Sequence, residues 1–184
     1  MRKILTITVP LLLSLAGCAT PGPTIMTNAN PGTDFASLRT YNFMQPLSTD
    51  RAGGAQTPLS AMLISAMSRE MANRGFQQSD TPDLLINFFV STEERMQVRT
   101  TPTSTSFHGY RRGRYSAWPS YRTTVRHYTR GTLAIDIVDT ANNFLAWEGV
   151  AQNRMGSDLN AVTQEQTDDV VGQIMAEFMP GASQ

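Results

Sequence analysis

Apolar and polar positions divide this chain into short segments of two different periods. Tyr41 and Phe43 alternate with Thr40 and Asn42, which predicts a half-buried strand at residues 39–44. Leu59, Met62, Leu63, Ala66, Met67 and Met71 recur at helical spacing. Thr57 stands ready as N-cap, Pro58 as first helical residue and Gly75 as terminator, which predicts a helix over 58–74. The run Leu84-Leu85-Ile86-Asn87-Phe88-Phe89-Val90 is short and rich in branched and aromatic residues, the signature of a central strand buried on both faces. Pairing resumes weakly around Arg122–Tyr128. It becomes clear where Leu133, Ile135 and Ile137 alternate with Ala134, Asp136 and Val138, turn through residues 139–143, and return through 144–151. Val162, Val170, Val171, Ile174, Met175 and Phe178 mark a closing helix that Pro180-Gly181 must stop.

The order is therefore strand, helix, strand, hairpin, helix. Two amphipathic helices each need a sheet face to cover. The economical arrangement is a two-layer α+β domain, with an antiparallel or mixed sheet and both helices on one side.

The N-terminal segment reads differently. Arg2 and Lys3 precede an apolar run from Ile4 to Leu15, too short for the roughly 20 residues of a membrane span and shaped like a secretory signal. Leu15-Ala16-Gly17-Cys18 ends that run, and Cys18 is the one cysteine of the chain. This tetrad resembles a lipobox. The resemblance implies diacylglyceryl transfer to the Cys18 thiol, cleavage after Gly17 and acylation of the new amino terminus. Ala19, where Asp would favour retention in the inner membrane, implies the outer membrane, with the protein facing the periplasm. The expected organisation is a signal at residues 1–17, then a lipidated Cys18 and flexible tether through 33. That tether is rich in Pro and Gly and spans up to about 50 Å. A single domain follows over 34–180.

Several stretches within that domain resemble the bacterial lipoprotein family known as domain of unknown function 4136. They are Leu38-Arg39-Thr40-Tyr41-Asn42-Phe43, then Arg74-Gly75-Phe76 leading into Pro82-Asp83-Leu84-Leu85-Ile86. The most specific is Gly131-Thr132-Leu133-Ala134-Ile135-Asp136-Ile137-Val138-Asp139 with Leu145-Ala146-Trp147-Glu148-Gly149. Thr81 departs from the Asp usual before Pro82. The family has no agreed activity, so the resemblance implies fold, anchoring and compartment and no catalytic residue.

Charge adds one feature. Without its first 17 residues the chain carries 13 arginines, no lysine and 15 acids, a formal charge of −2. Yet residues 95–130 contain eight arginines (95, 99, 111, 112, 114, 122, 126 and 130) and no acid. Pro, Ser, Thr and Gly fill the stretch from 100 to 120, which reads as a long flexible loop. Arginine grips phosphate through two parallel hydrogen bonds, and aromatic rings offer flat contact surfaces. Arg111, Arg112, Arg114, Tyr115, Trp118, Arg122 and Arg126 are accordingly the candidate surface for an anionic ligand. In an exported protein that ligand is a lipid headgroup or an anionic envelope polymer, and nucleic acid is not expected. The competing structural account is internal. Residues 134–184 hold eight acids against Arg154 alone, so the loop arginines have acids of their own domain to pair with.

Other chemistry finds little support. Glu93 and Glu94 are adjacent on a predicted strand and diverge. Asp168 and Asp169 suit an early helical turn. Two histidines without metal-ligand spacing predict no metal, no cofactor is expected, and Met62, Met67 and Met71 read as a core stripe. The expectation is a non-enzymatic, lipid-anchored protein that binds or scaffolds cell-envelope components. Two alternatives stay open: a cell-envelope hydrolase using His127 or Asp136 as base, and a subunit of an envelope complex that docks an envelope protein on its sheet edge.

Overall fold

The computed structural model describes residues 22–111, 114–155 and 161–178, with the side chains of 104–111, 114–120 and 155 outside that description. The elements are β1 (Thr24–Ala29), β2 (Thr40–Phe43), α1 (Pro58–Asn73), β3 (Gln77–Gln78), β4 (Leu84–Arg111), β5 (Arg114–Asp139), β6 (Phe144–Met155) and α2 (Gln164–Met175). The six strands form one mixed sheet in the order β1-β6-β5-β4-β2-β3. The β1, β6, β5 and β4 neighbours are antiparallel, and β2 runs parallel to both β4 and β3. A parallel pair needs a crossover, and α1 supplies it between β2 and β4. Among the described residues no helix is long and apolar enough to cross a membrane.

Local chemistry sets the helix ends where the sequence places them. The Thr57 side chain accepts from the Ser60 N–H at the start of α1, and Gly75, at φ 84°, terminates it. At α2 a capping box forms between Thr163 and Gln166. Both helices cover the same sheet face. Leu63, Met67 and Met71 of α1 and Val171 and Ile174 of α2 share one core with Leu84, Ile86 and Phe88 of β4, Ile135 and Ile137 of β5, and Trp147 of β6. The predicted α+β two-layer architecture is thus the observed one. Of the methionine stripe, Met67 and Met71 are core, whereas Met62 is only half-buried at its margin. Closest approach falls at Gly149, where an added Cβ would run into the Trp147 ring and the Ile174 side chain.

Asp83 ties the strand starts together. Its Oδ2 accepts from the N–H groups of Arg39 and Thr40, each at 2.9 Å, and from Thr40 Oγ1 at 2.8 Å, while its own N–H donates to Thr40 Oγ1 at 2.9 Å. Those backbone donors, with the Thr40 hydroxyl, hold its carboxyl below the usual carboxylate range. Thr81, the departure beside it, caps locally on Ser79. The 139–143 turn is closed by Asp139, whose Oδ1 accepts from Ala141 N and Asn142 N.

Three expectations are corrected. The segment through residue 33 is not wholly a tether, because Thr24–Ala29 forms edge strand β1 against Trp147–Gln152 of β6. Thr24 pairs with Gln152, which in turn pairs with Thr132, so β1 begins at the end of the sheet from which β4 and β5 continue outward. The run 84–90 is not buried on both faces. Leu84, Ile86 and Phe88 are fully buried under the helices, but Phe89 on the other face is 46% exposed because no helix covers that side. Finally, the 100–120 loop is at backbone level a continuation of the hairpin. Residues Thr100 to Thr103 pair with Ser120 to Thr123, and beyond a shift between Thr103 and Ser106 pairing resumes out to Arg111 and Arg114.

Candidate functional site

Helix α1 has 16 residues and so spans about 24 Å, whereas a strand rises about 3.3 Å per residue. The helix layer can therefore cover only some seven residues of a strand as long as β4, which has 28. Beyond Val90 the β4–β5 pair runs out from under the helices, flanked by β6 as far as the Thr129–Met155 pair and a bare two-stranded ribbon from Arg95 outward. Residues 91–102 of β4 and 121–127 of β5 are exposed.

Strand parity then sorts the ribbon side chains, because successive residues point to opposite faces and directly paired residues share one. On the face continuous with the helix-covered side of the sheet lie Met96 opposite His127, Val98 opposite Val125, and Pro102 opposite Tyr121. Met96, Val98, Tyr121 and Val125 are exposed by 69%, 63%, 61% and 49%. On the other face Arg95 lies opposite Tyr128, Gln97 opposite Arg126, Arg99 opposite Thr124, Thr101 opposite Arg122 and Glu93 opposite Arg130. Arg154 of β6 pairs with Arg130 and extends the same face. Its guanidinium carbon sits 3.9 Å from the centre of the Tyr128 ring, and its Nη2 donates to Gln97 Oε1 at 2.9 Å.

Six arginines thus share one surface with a single acid, Glu93, which pairs with Arg95 at 2.8 Å. Among the described residues, Arg99, Arg122, Arg126 and Arg130 form no ion pair. The internal pairing that the sequence offered is not made for these four among the described residues. Asp168 is engaged by Arg69 of α1, Asp139 closes its own turn, and Asp169 lines a pocket with Arg130 and Arg154 without an ion pair to either.

Of the candidate residues read from the sequence, Arg122 and Arg126 belong to this face. Arg111 pairs with Arg114 through the backbone, and Tyr115 and Trp118 likewise lie on β5, but the side chains of all four lie outside the described residues. Arg112 and Cys18 lie outside them altogether. Arg95, Arg99, Arg130 and Arg154 were not singled out for the surface. The signal was present all the same. Positions 95 and 99, and positions 122, 126 and 130, are separated by even numbers, which on a strand means one face.

The uncovered face of the sheet carries a second polar feature. Asn87, Asp136 and Glu148 stand side by side on β4, β5 and β6. Asn87 is satisfied by Ser48, whose N–H donates to Asn87 Oδ1 at 3.0 Å and whose Oγ accepts from Asn87 Nδ2 at 2.8 Å. Asp136 Oδ1 is buried with no hydrogen-bond partner among the described residues. Burial, reinforced by the Glu148 charge, pushes the Asp136 carboxyl above its usual range. Among the described residues neither an arginine nor a backbone N–H donates to that oxygen. His127 and Asp136 are nine residues apart on one strand, about 30 Å along it, and odd spacing sends them to opposite faces. The structure does not bring them together. Among the described residues no group of His, Cys, Asp and Glu has the geometry to hold a metal ion.

At the base of the ribbon, under the helix layer, Leu59, Leu63, Val90, Leu133 and Val170 line an open apolar cleft of about 480 Å³. Pro23, just ahead of β1, stands at its rim.

No curated protein matches the chain. Among solved structures it is similar to a PDZ domain protein from Parabacteroides distasonis, with a TM-score of 0.56 and 16% identity over 84% of this chain. It spans only 35% of that protein's chain. It is also similar to a DUF4136 family protein from Bacteroides thetaiotaomicron, with a TM-score of 0.50 and 11% identity over 86% of this chain and 97% of that one. At such identities these likenesses speak to the fold alone. The model of the domain of unknown function DUF4136 matches residues 25–180, a range that opens within β1 and takes in every later element. With its sheet, its helices and its ribbon all inside that match, the chain belongs to the DUF4136 family.

Proposed function

We propose that this is a non-enzymatic, lipid-anchored envelope protein, held at the outer membrane through Cys18, that binds phosphate-bearing envelope components with the arginine face of its ribbon. The observation that carries the reading is the segregation of Arg95, Arg99, Arg122, Arg126 and Arg130 onto one side of a projecting hairpin, with Arg154 of β6 beside them, four of the six without an acidic partner among the described residues. Unpaired, solvated guanidinium groups at regular strand spacing form a row of forked donors suited to successive phosphates. The lipobox-like tetrad ending at Cys18 supplies the compartment in which such phosphates are lipid headgroups or envelope polymers. Arg99, Arg122 and Arg126 replaced together by Gln test it. Acylated full-length protein in nonionic micelles is titrated with lipopolysaccharide at two salt concentrations. The triple change should weaken binding by on the order of tenfold and flatten the salt dependence. Equal affinity and equal salt dependence in the variant would refute the reading.

A further inference from the structure

The opposite face of the ribbon carries a second message. Its exposed side chains are Met96, Val98, Tyr121 and Val125, with Thr100 and Thr123 between them. Its one acid, Glu94, lies at the sheet end opposite Thr129, and His127 is its one histidine among the described residues. Large apolar side chains exposed by about half or more on one side, with arginines on the other, make this hairpin amphipathic across its thickness. That is the arrangement by which an element lies in a membrane interface, apolar face toward the acyl chains and guanidinium groups among the phosphates.

The path of the chain supports the same orientation. Strand β1 enters the sheet at Thr24, at the ribbon end, and Thr24 lies only six positions after Cys18. Six extended residues reach about 20 Å. A lipid on Cys18 therefore holds the ribbon end of the domain, not the α1–β2 end, against the bilayer surface. A 15-residue tether would have left that orientation free.

We propose that the β4–β5 ribbon lies in the headgroup layer of the phospholipid bilayer, with Met96, Val98, Tyr121 and Val125 directed at the acyl boundary and the arginine row on lipid phosphates. The inference rests on the anchored, phosphate-binding reading above and adds the partner, a lipid surface, and the pose.

The test places a polarity-sensitive dye on each face in turn. Val98→Cys and Thr124→Cys sit on opposite faces of the same stretch of ribbon, and both positions are exposed. Acylated full-length protein is reconstituted into vesicles of phosphatidylethanolamine and phosphatidylglycerol, with bromine on the acyl chains or iodide in the buffer as quencher. Bromine should quench the dye at 98 on the order of threefold more than the dye at 124, and iodide should show the reverse order. Both dyes open to iodide and untouched by bromine would overturn the pose. A dye at 98 hidden from both quenchers would also overturn it, because a second copy of the chain would then be covering that face. The mass of the N-terminal peptide, read on the same sample, separates the two proposals. An unacylated Cys18 removes the anchored reading and the pose together. An acylated chain with an aqueous position 98 removes the pose and leaves the arginine face to soluble anionic polymers.

Discussion

Replacing Gly149 by Ala should be among the most damaging single-methyl changes in this domain. Gly149 sits on β6 facing Ile135, where α2 crosses the sheet, and a Cβ there would overlap both the Trp147 ring and the Ile174 side chain. Neither neighbour has room to retreat, since Trp147 is 3% exposed and Ile174 is fully buried. Overpacking of a tight core costs about 1–3 kcal/mol, and two immobile neighbours place this site at the upper end, about 3 kcal/mol. For a domain of this size that corresponds to a melting temperature lower by roughly 6–12 °C. Gly172→Ala is the internal control. It lies within α2, and its added methyl would meet nothing closer than Glu70 Oε1 at 3.7 Å. Relief of the glycine penalty in a helix should there stabilise by about 0.5–1 kcal/mol. Both variants are followed by far-ultraviolet circular dichroism through thermal and urea unfolding, with tryptophan emission as a second probe. Adding Ile174→Val to Gly149→Ala should recover part of the loss, because it removes a methyl beside the new one. If Gly149→Ala unfolds within about 0.5 kcal/mol of the parent, the close approach of α2 to β6 is wrong.

Other consequences are equally direct. Asp83→Ala strands the N–H groups of Arg39 and Thr40 and should cost about 2–3 kcal/mol in urea unfolding. Because the folded-state pKa of Asp83 lies below the ordinary 3.8, the parent should lose part of that increment as pH falls from 3.8 through the folded-state value, a loss the variant should not show. Asp136 carries the opposite sign. Its raised pKa means that the folded state holds the proton more tightly, so its ionisation costs stability as pH rises from 3.8 through the folded-state value. Asp136→Asn should therefore stabilise on the order of 1 kcal/mol at pH 7, with the gain disappearing below about pH 4, as read from melting temperatures across that range. Thr163→Ala removes the capping box of α2 and should cost about 1 kcal/mol, with an unchanged urea midpoint counting against the cap.

The signals that succeeded in the sequence were local. Thr57, Pro58 and Gly75 bound α1 because a cap, a fixed φ and a left-handed residue act within one turn of the chain. The alternation from Leu133 to Val138 and the 139–143 turn predict the hairpin because period and turn chemistry are set within a few residues. The failures were of other kinds. Thr24–Ala29 carries almost no apolar pattern, since five of its six residues are exposed, and it is a strand because β6 offers it an open edge. Residues 100–120 have the composition of a loop, and their pairing continues only because Leu84–Val90 and Leu133–Val138 have already set the register from which it extends.

Composition, helix ends, the core stripe and the arginine excess of residues 95–130 were thus properties of the chain alone, because each depends on the nature and spacing of neighbours in sequence. Tertiary structure decided which of those arginines share a face, how far the ribbon outruns its helices, and at which end of the sheet the N-terminal segment enters. Register and edge pairing are relations between strands distant in sequence. A shift of one residue would scatter the same arginines among the apolar side chains they now oppose.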